Sequence, residues 1–321
     1  LFMLRFFAKR FVAIVFTLAA VIAISYIMMY ESPGGFMSTS QVASALAPIA
    51  AQNPVLYQKV MEEFQQRYGL NLPLWRQCLQ YVWHELTFNF GNSMQNPTQT
   101  ITSQLKTALP ISVILAFSST ALSVVIGIPM GVIAALKRNT WIDYTVTTLS
   151  MVGQAIPSFV LAVIFVLIFG VLWQNILPVT GWGTFSDAVL PVISLAAAPI
   201  GVVARYMRGS LIETMRQDFI RTAKSKGVKY WPLVLKHGVR NSMTALITVV
   251  GPQFAFTVVG TVLVENIFAI PGLGKVIGNA FPNFDFPMAI TSVFILGAIM
   301  MITNLIVDLF YAWIDPRVKL Q

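Results

Sequence analysis

Residues 205 to 240 read RYMRGSLIETMRQDFIRTAKSKGVKYWPLVLKHGVR. They hold Arg205, Arg208, Arg216, Arg221, Lys224, Lys226, Lys229, Lys236 and Arg240, nine of the chain's 21 Lys and Arg residues. Only Glu213 and Asp218 oppose them. The chemistry this spacing offers is non-covalent: a basic, amphipathic surface that another body can press against. On a helical wheel Ile212, Met215, Phe219, Thr222 and Ala223 fall on one side, and Glu213, Gln217, Arg221 and Lys224 on the other. Ala223 and Gly227, four apart, leave a shallow place where a partner can approach closely. Gly227 is placed to end this helix. Pro232 is placed to start a short second one over 232–239, because its missing N–H matters little at a helix N-terminus. A charged loop that only sets orientation, or that meets anionic lipid, is the plainer reading of the same residues. His237 reads as a packing or hydrogen-bonding residue.

Covalent and metal chemistry find little to work with. The single cysteine, Cys78, excludes a disulfide framework and a cysteine metal site, and the two histidines, His84 and His237, lie far apart. The sequence has no GxxxxGK[ST] phosphate loop, no HExxH helix and no GxSxG elbow. Three acidic residues, Asp143, Glu265 and Asp308, lie near the ends of apolar stretches. There capping, interfacial hydrogen bonding or pairing with a neighbour is expected of them, ahead of a proton relay.

The elements that carry these residues are membrane elements. A hydrophobic fraction of 56%, 10% charged residues and a mean hydropathy of +0.73 describe an integral membrane protein. About 20 apolar residues cross the hydrocarbon core. Six windows reach that length, roughly 11–30, 109–136, 143–172, 188–207, 241–268 and 287–313. The first is longer than the roughly 7–15 residues of a signal-peptide core, and reads as an uncleaved span. Pro129, Pro157, Pro199 and Pro252 fall inside windows, where membrane helices tolerate them as kinks. With both termini cytoplasmic, the basic residues of 205–240 join Arg5, Lys9, Arg10, Lys137, Arg138, Arg317 and Lys319 on one side. The other side keeps Lys59, Arg67, Arg76, Lys106 and Lys275, as the positive-inside rule requires. The net charge of +9 thus follows topology and does not call for nucleic acid.

The expected organisation is a tail and first span over 1–30, then an extracytoplasmic region over 31–108 with short surface helices. A five-helix core follows over 109–313, containing the cytoplasmic segment 211–240, and a tail over 314–321. Within the outer region, 54–70 has helical spacing. Small polar residues on the spans are candidates for a pathway: Ser112 and Ser119, then Gln154 and Ser158, then Asn241, Thr248 and Gln253. Structural packing through small residues is the competing role for each.

Several stretches carry a resemblance: 68-YGLNLPLWRQCLQYV-82, 88-FNFGNS-93, 104-QLKTALPISVIL-115, 190-LPVISLAAAPIGVVARYMRGSLIETMRQDFIRTAKSKG-227, 237-HGVRN-241, 265-ENIFAIPGLG-274 and 308-DLFYAWIDPR-317. In this order and spacing the chain resembles the inner-membrane permease subunits of oligopeptide and dipeptide ABC importers. The resemblance implies an all-α, type I importer-like transmembrane domain and a non-enzymatic chain. It implies Mg-ATP hydrolysis by two partner ATPase subunits or domains. It further implies a second homologous permease, an extracytoplasmic substrate-binding protein and a peptide substrate, with nickel or another small solute as alternatives. The loop between the fourth and fifth spans would carry the family's EAA–Gly motif. Arg221, Thr222 and Ala223 stand at its Glu-Ala-Ala places and Gly227 at its glycine, flanked by Phe219 and Lys224. Arg for Glu, Thr for Ala, and Val239-Arg240 in place of a later Leu-Pro depart from the general motif. A stand-alone secondary transporter and a membrane-embedded enzyme remain the readings from other classes.

Overall fold

The computed structural model describes residues 2–31, 55, 58, 62, 72–93, 99–174, 176–283 and 285–314. Apart from Val55, Gln58 and Glu62, which are helical, the helix expected over 54–70 lies outside the described residues, as do Arg317, Lys319 and the side chain of Asp308. Described residues form helices and connecting turns, with one isolated antiparallel bridge between Asn92 and Thr100. In chain order the helices are α1 (Phe2–Glu31), α2 (Leu74–Leu86), α3 (Ile101–Leu136), α4 (Trp141–Ala155), α5 (Ser158–Leu167), α6 (Phe185–Thr214), α7 (Asp218–Ser225), α8 (Arg240–Ile267), α9 (Leu273–Ala280) and α10 (Phe286–Ile314). A π-wound turn, Ile168–Leu172, extends α5. One α-turn, Tyr230–Pro232, and a π-wound stretch, Leu233–Val239, lead into α8 without a break.

Five of the described helical stretches are long and apolar enough to cross a membrane: Ala8–Glu31, Ile101–Leu136, Phe185–Thr214, Tyr230–Ile267 and Phe286–Val307. The pair α4 and α5–Leu172 makes six when taken as one broken span, and its halves meet at 92°. The window 143–172 is therefore not one kinked helix. Pro157 disfavours helical backbone at the residue before it, and Ile156 is extended (φ −88°, ψ 116°). Pro129, Pro191, Pro199 and Pro252 stay inside their helices. Most helices also run past their apolar windows. At α6 the start is dictated locally by a capping box, in which the Thr184 N–H donates to Asp187 at 2.8 Å.

The chain divides into two bodies, Leu1–Lys106 with Asn279–Ala298, and Thr107–Gly278 with Ile299–Gln321. In the first, α2 packs on α1, and the Tyr26 hydroxyl donates to Gln77 Oε1 at 2.5 Å. Phe88, Phe90 and Phe294 form a ring cluster with centroids 5.9 Å apart. Glu85 on α2 is buried and accepts the Thr291 hydroxyl at 2.8 Å, while its Oε2 has no hydrogen-bond partner among the described residues. Burial pushes its carboxyl up to about 7 from 4.5, against the lowering effect of Thr291. A raised carboxyl favours the folded state most when protonated. The stability it contributes is complete below about pH 4.5 and is lost as pH rises toward 7. Glu85→Gln is expected to remove that pH dependence and to raise the melting temperature at pH 8, by the equivalent of about 1–3 kcal/mol. Thermal unfolding of purified protein at pH 5 and pH 8 reads the difference.

The second body is organised on α6. One apolar centre gathers Leu115, Ala162, Leu190, Leu195, Val264, Phe268 and Ile270. Another gathers Val203, Met207, Leu211 and Leu246, with Ile128, Val132 and Met243 against them. Glycines let the helices come close. A Cβ on Gly131 would overlap the Ala204 carbonyl, and one on Gly201 the Ser150 carbonyl.

Candidate functional site

The basic segment is built from the end of α6, then α7, then the lead-in to α8. α6 stops at Thr214, and the backbone turns through Arg216 N–H to Glu213 C=O and Gln217 N–H to Thr214 C=O, both 3.1 Å. α7 starts afresh at Asp218 and ends after two turns. Its stop is a Schellman arrangement: Gly227 N–H donates to Lys224 C=O at 3.0 Å, and Val228 N–H to Ala223 C=O at 3.3 Å. Gly227 takes the left-handed φ of +81° that this stop requires.

The turn at 215–217 resets the helical phase, so the wheel drawn through Ile212–Ala223 as one helix does not hold. The buried residue of α7 is Ile220, 4% exposed, with Ala223 half-buried beside it. Phe219, 45% exposed, faces outward with Arg221, Thr222 and Lys224. The Arg221–Asp218 ion pair, 3.5 Å apart, joins side chains that are 78% and 95% exposed, so it contributes little. The second helix expected over 232–239 is not a separate piece. It begins at Tyr230 and continues as the foot of α8. Leu233, Val234 and Gly238 are buried there, and a Cβ on Gly238 would lie 3.0 Å from both Leu211 and Met215. α7 packs on this foot.

Behind α7 the end of α6 is tied down by charge. Arg208 donates from Nε to Asp143 Oδ1 at 2.5 Å and from Nη2 to Oδ2 at 2.7 Å, a bidentate pair. Asp143 also accepts the Asn139 N–H at 2.9 Å. Arg205 reaches Gln154 Oε1 at 2.5 Å, and Gln154 donates to the Ser150 carbonyl at 3.0 Å. Two basic residues counted with the surface segment thus hold α4 to α6.

The seven candidate pathway residues do not share one surface. Ser112 and Ser119 are fully buried. Ser112 Oγ accepts the Leu273 N–H at 2.8 Å, and Ser119 donates to the Ala116 carbonyl at 2.9 Å. Ser158 is the first residue of α5, just past the bend. Gln154 and Gln253 are half-buried. Asn241 and Thr248 are exposed, and with Thr244 they line one face of α8. A polar helix face in a membrane protein must meet water or protein rather than lipid tails.

Glu265 was expected near a helix end in a capping or hydrogen-bonding role, and the structure gives it one at the start of α9. It is buried, and Oε2 accepts the Gly274 N–H at 2.5 Å. Its backbone carbonyl accepts the Ile270 N–H at 2.8 Å. A side chain at Gly272 would overlap this carboxylate. The loop Ala269–Gly272 is therefore wrapped on Glu265 and Ser112 at the end of α8. The Glu-Asn-(Ile-Phe-Ala-Ile)-Pro-Gly-Leu-Gly run was the available signal, an acid followed by a glycine-rich turn.

A helical body of several spans that carries a short exposed helix between two of them defines a multi-pass membrane protein. Residues 127–320 match the family model described as the inner membrane component of binding-protein-dependent transport systems. The chain is 34% identical over 318 residues to the dipeptide transport system permease protein DppB of Lactococcus lactis subsp. cremoris, covering 99% of this chain and 100% of that one. It is 34% identical over 319 residues to the oligopeptide permease OppB of Haemophilus influenzae, and 33% to that of Escherichia coli K12, with the same coverage. The fold is that of the methionine ABC transporter MetNI, solved in inward-facing conformations (TM-score 0.56, 17% identity, 67% of this chain and 97% of that one). An amino acid ABC transporter is similar in fold at a TM-score of 0.51, with 17% identity, 66% of this chain and 94% of that one. The chain belongs to the family of inner membrane components of binding-protein-dependent transport systems.

Proposed function

We propose that this chain forms half of the translocation path of an ATP-driven peptide importer, and that α7 takes up the movement of an ATPase subunit. The observation that carries the reading is α7 itself. It is a two-turn helix with its own start and its own glycine stop, seated on Ile220, with Phe219, Arg221, Thr222 and Lys224 turned outward. A loop that served only to orient the chain would need neither. α7 packs on the foot of α8, and the foot packs on the end of α6, so a push on α7 reaches two spans as a lever reaches its shaft. The Arg208–Asp143 pair passes it to α4.

The near full-length similarity to dipeptide and oligopeptide permeases supports peptide as the substrate. The exposed polar face of α8 at Asn241, Thr244 and Thr248 supports a water-lined path shared with a second, homologous permease. ATP and its Mg²⁺ belong to two partner ATPase subunits, and peptide arrives on an extracytoplasmic binding protein. The charge distribution supports cytoplasmic termini and a cytoplasmic α7.

Purification of the intact assembly, with its subunits identified and its ATPase assayed with peptide-loaded binding protein, tests this. Peptide-stimulated hydrolysis is expected, and an assembly without ATPase subunits would refute the reading. Ala223→Glu puts a charge on the half-buried side of α7 beside Ile220, where it loosens the seat through which α7 passes movement on. It is expected to preserve insertion and to weaken ATPase coupling by roughly a hundredfold, the effect of about 2–3 kcal/mol at a packed contact. Lys224→Ala should change less than about 1 kcal/mol. Gly227→Trp is the weaker test, because the left-handed φ makes it a cap lesion as well.

A further inference from the structure

Helix α2 is built inside out for a water-exposed cap. The two side chains it buries most deeply are polar, Gln77 and Glu85, at 4% and 2% exposure. Its outer face carries Trp75, Leu79 and Trp83, which are 60%, 59% and 67% exposed. These three are four residues apart, so they form one stripe along the helix. Leaving such side chains in water forgoes about 1.5–3 kcal/mol each.

Two features say what covers the stripe. The first is depth. α2 is held to α1 by the Tyr26–Gln77 hydrogen bond and by Tyr26 against Tyr81, with ring centroids 4.8 Å apart. Tyr26 lies five residues before the end of the apolar stretch Ala8–Glu31, which places it about 7 Å inside that end. With 13 residues α2 is too short to cross a bilayer, and it is anchored where headgroups meet acyl chains. The second is charge. The Arg76 guanidinium sits 5.0 Å from the Trp75 ring centroid, and His84 is exposed on the same side of the helix. The acid of α2, Glu85, is turned inward. Tryptophan with a stacked arginine and no outward carboxylate matches a phosphate-bearing interface.

We propose that the Trp75–Leu79–Trp83 stripe of α2 lies in the lipid interface, with the indoles at the headgroup boundary and Arg76 toward lipid phosphate. α2 is then an interfacial anchor that steadies the end of α1. This rests on α1 spanning the membrane and is independent of what the assembly transports.

The test uses the assembled complex in nanodiscs of phosphatidylcholine and phosphatidylglycerol. Cys78→Ser with Leu79→Cys, the partners' cysteines replaced, carries an environment-sensitive dye. The expected result is blue-shifted emission, quenched at least twofold more by a nitroxide on lipid headgroups or shallow acyl positions than by one at the acyl terminus. Water-like emission, quenched only by an aqueous agent, overturns the proposal. So does blue-shifted emission insensitive to lipid nitroxides, which marks a face covered by the second permease or the binding protein. If the labelled variant does not assemble, Trp75→Phe with Trp83→Phe is compared with the unsubstituted complex. Loss of headgroup-nitroxide-quenchable tryptophan emission is expected, and an unchanged quenchable fraction overturns it.

Discussion

Gly201→Ala is expected to cost more than about 3 kcal/mol and to remove most folded protein from the membrane, although it adds a single methyl group. The new Cβ would overlap the Ser150 carbonyl and lie 3.0 Å from Gln154 Nε2. Backbone cannot step aside as a side chain can, so α4 and α6 would have to separate. The same substitution at Gly209, eight residues further along α6, meets nothing within 4 Å. It should be neutral or stabilising by up to about 1 kcal/mol, the gain of Ala over Gly in a helix. Membrane yield and thermal unfolding in detergent read both variants. Equal behaviour of the two would show that α4 and α6 do not pack as described.

Arg208→Met is the second large effect. It leaves Asp143, 2% exposed, without the bidentate partner at 2.5 and 2.7 Å. Arg208 is 29% exposed and Asp143 keeps the Asn139 N–H, so leaving this carboxylate without its charge partner should cost about 1–3 kcal/mol rather than the full penalty of a buried pair. Removing both charges, Asp143→Asn with Arg208→Gln, should recover much of that loss. Arg208→Lys should be intermediate, since an ammonium cannot make the two parallel hydrogen bonds. The pair joins α4 to the part of α6 that leads to α7. The single variant should therefore also uncouple ATPase activity from transport in whatever complex survives. A double-mutant cycle on thermal stability, with coupled ATPase as the second readout, separates the two effects. Additive losses would mean that the ion pair is not formed.

Much of this protein was legible in its sequence because the signals are local. Apolar length marked the spans, and a glycine at 227 marked the helix stop that the Schellman hydrogen bonds confirm. Other readings failed where a local count crossed a break. Counting 3.6 residues per turn from Ile212 to Ala223 put Phe219 on one side with Ile212 and Ala223. The turn at 215–217 restarts the helix, and Ile220 is the residue that packs. Pro157 was counted as a kink like Pro129 or Pro199, and it instead separates two helices that meet at 92°.

What the sequence determined by itself was the class: an apolar helical chain with nine basic residues between two spans, whose ordered motifs place it in its family. What only the tertiary structure decided was which way each helix faces. Asp143 finds Arg208 across 65 residues, Ser112 finds Leu273 across 161 and Glu85 finds Thr291 across 206. A soluble helix announces its inner face by a polar outer one. A membrane helix is apolar on all sides, so its rotation is set by close-packed glycines and a few buried polar partners that no local pattern can pair.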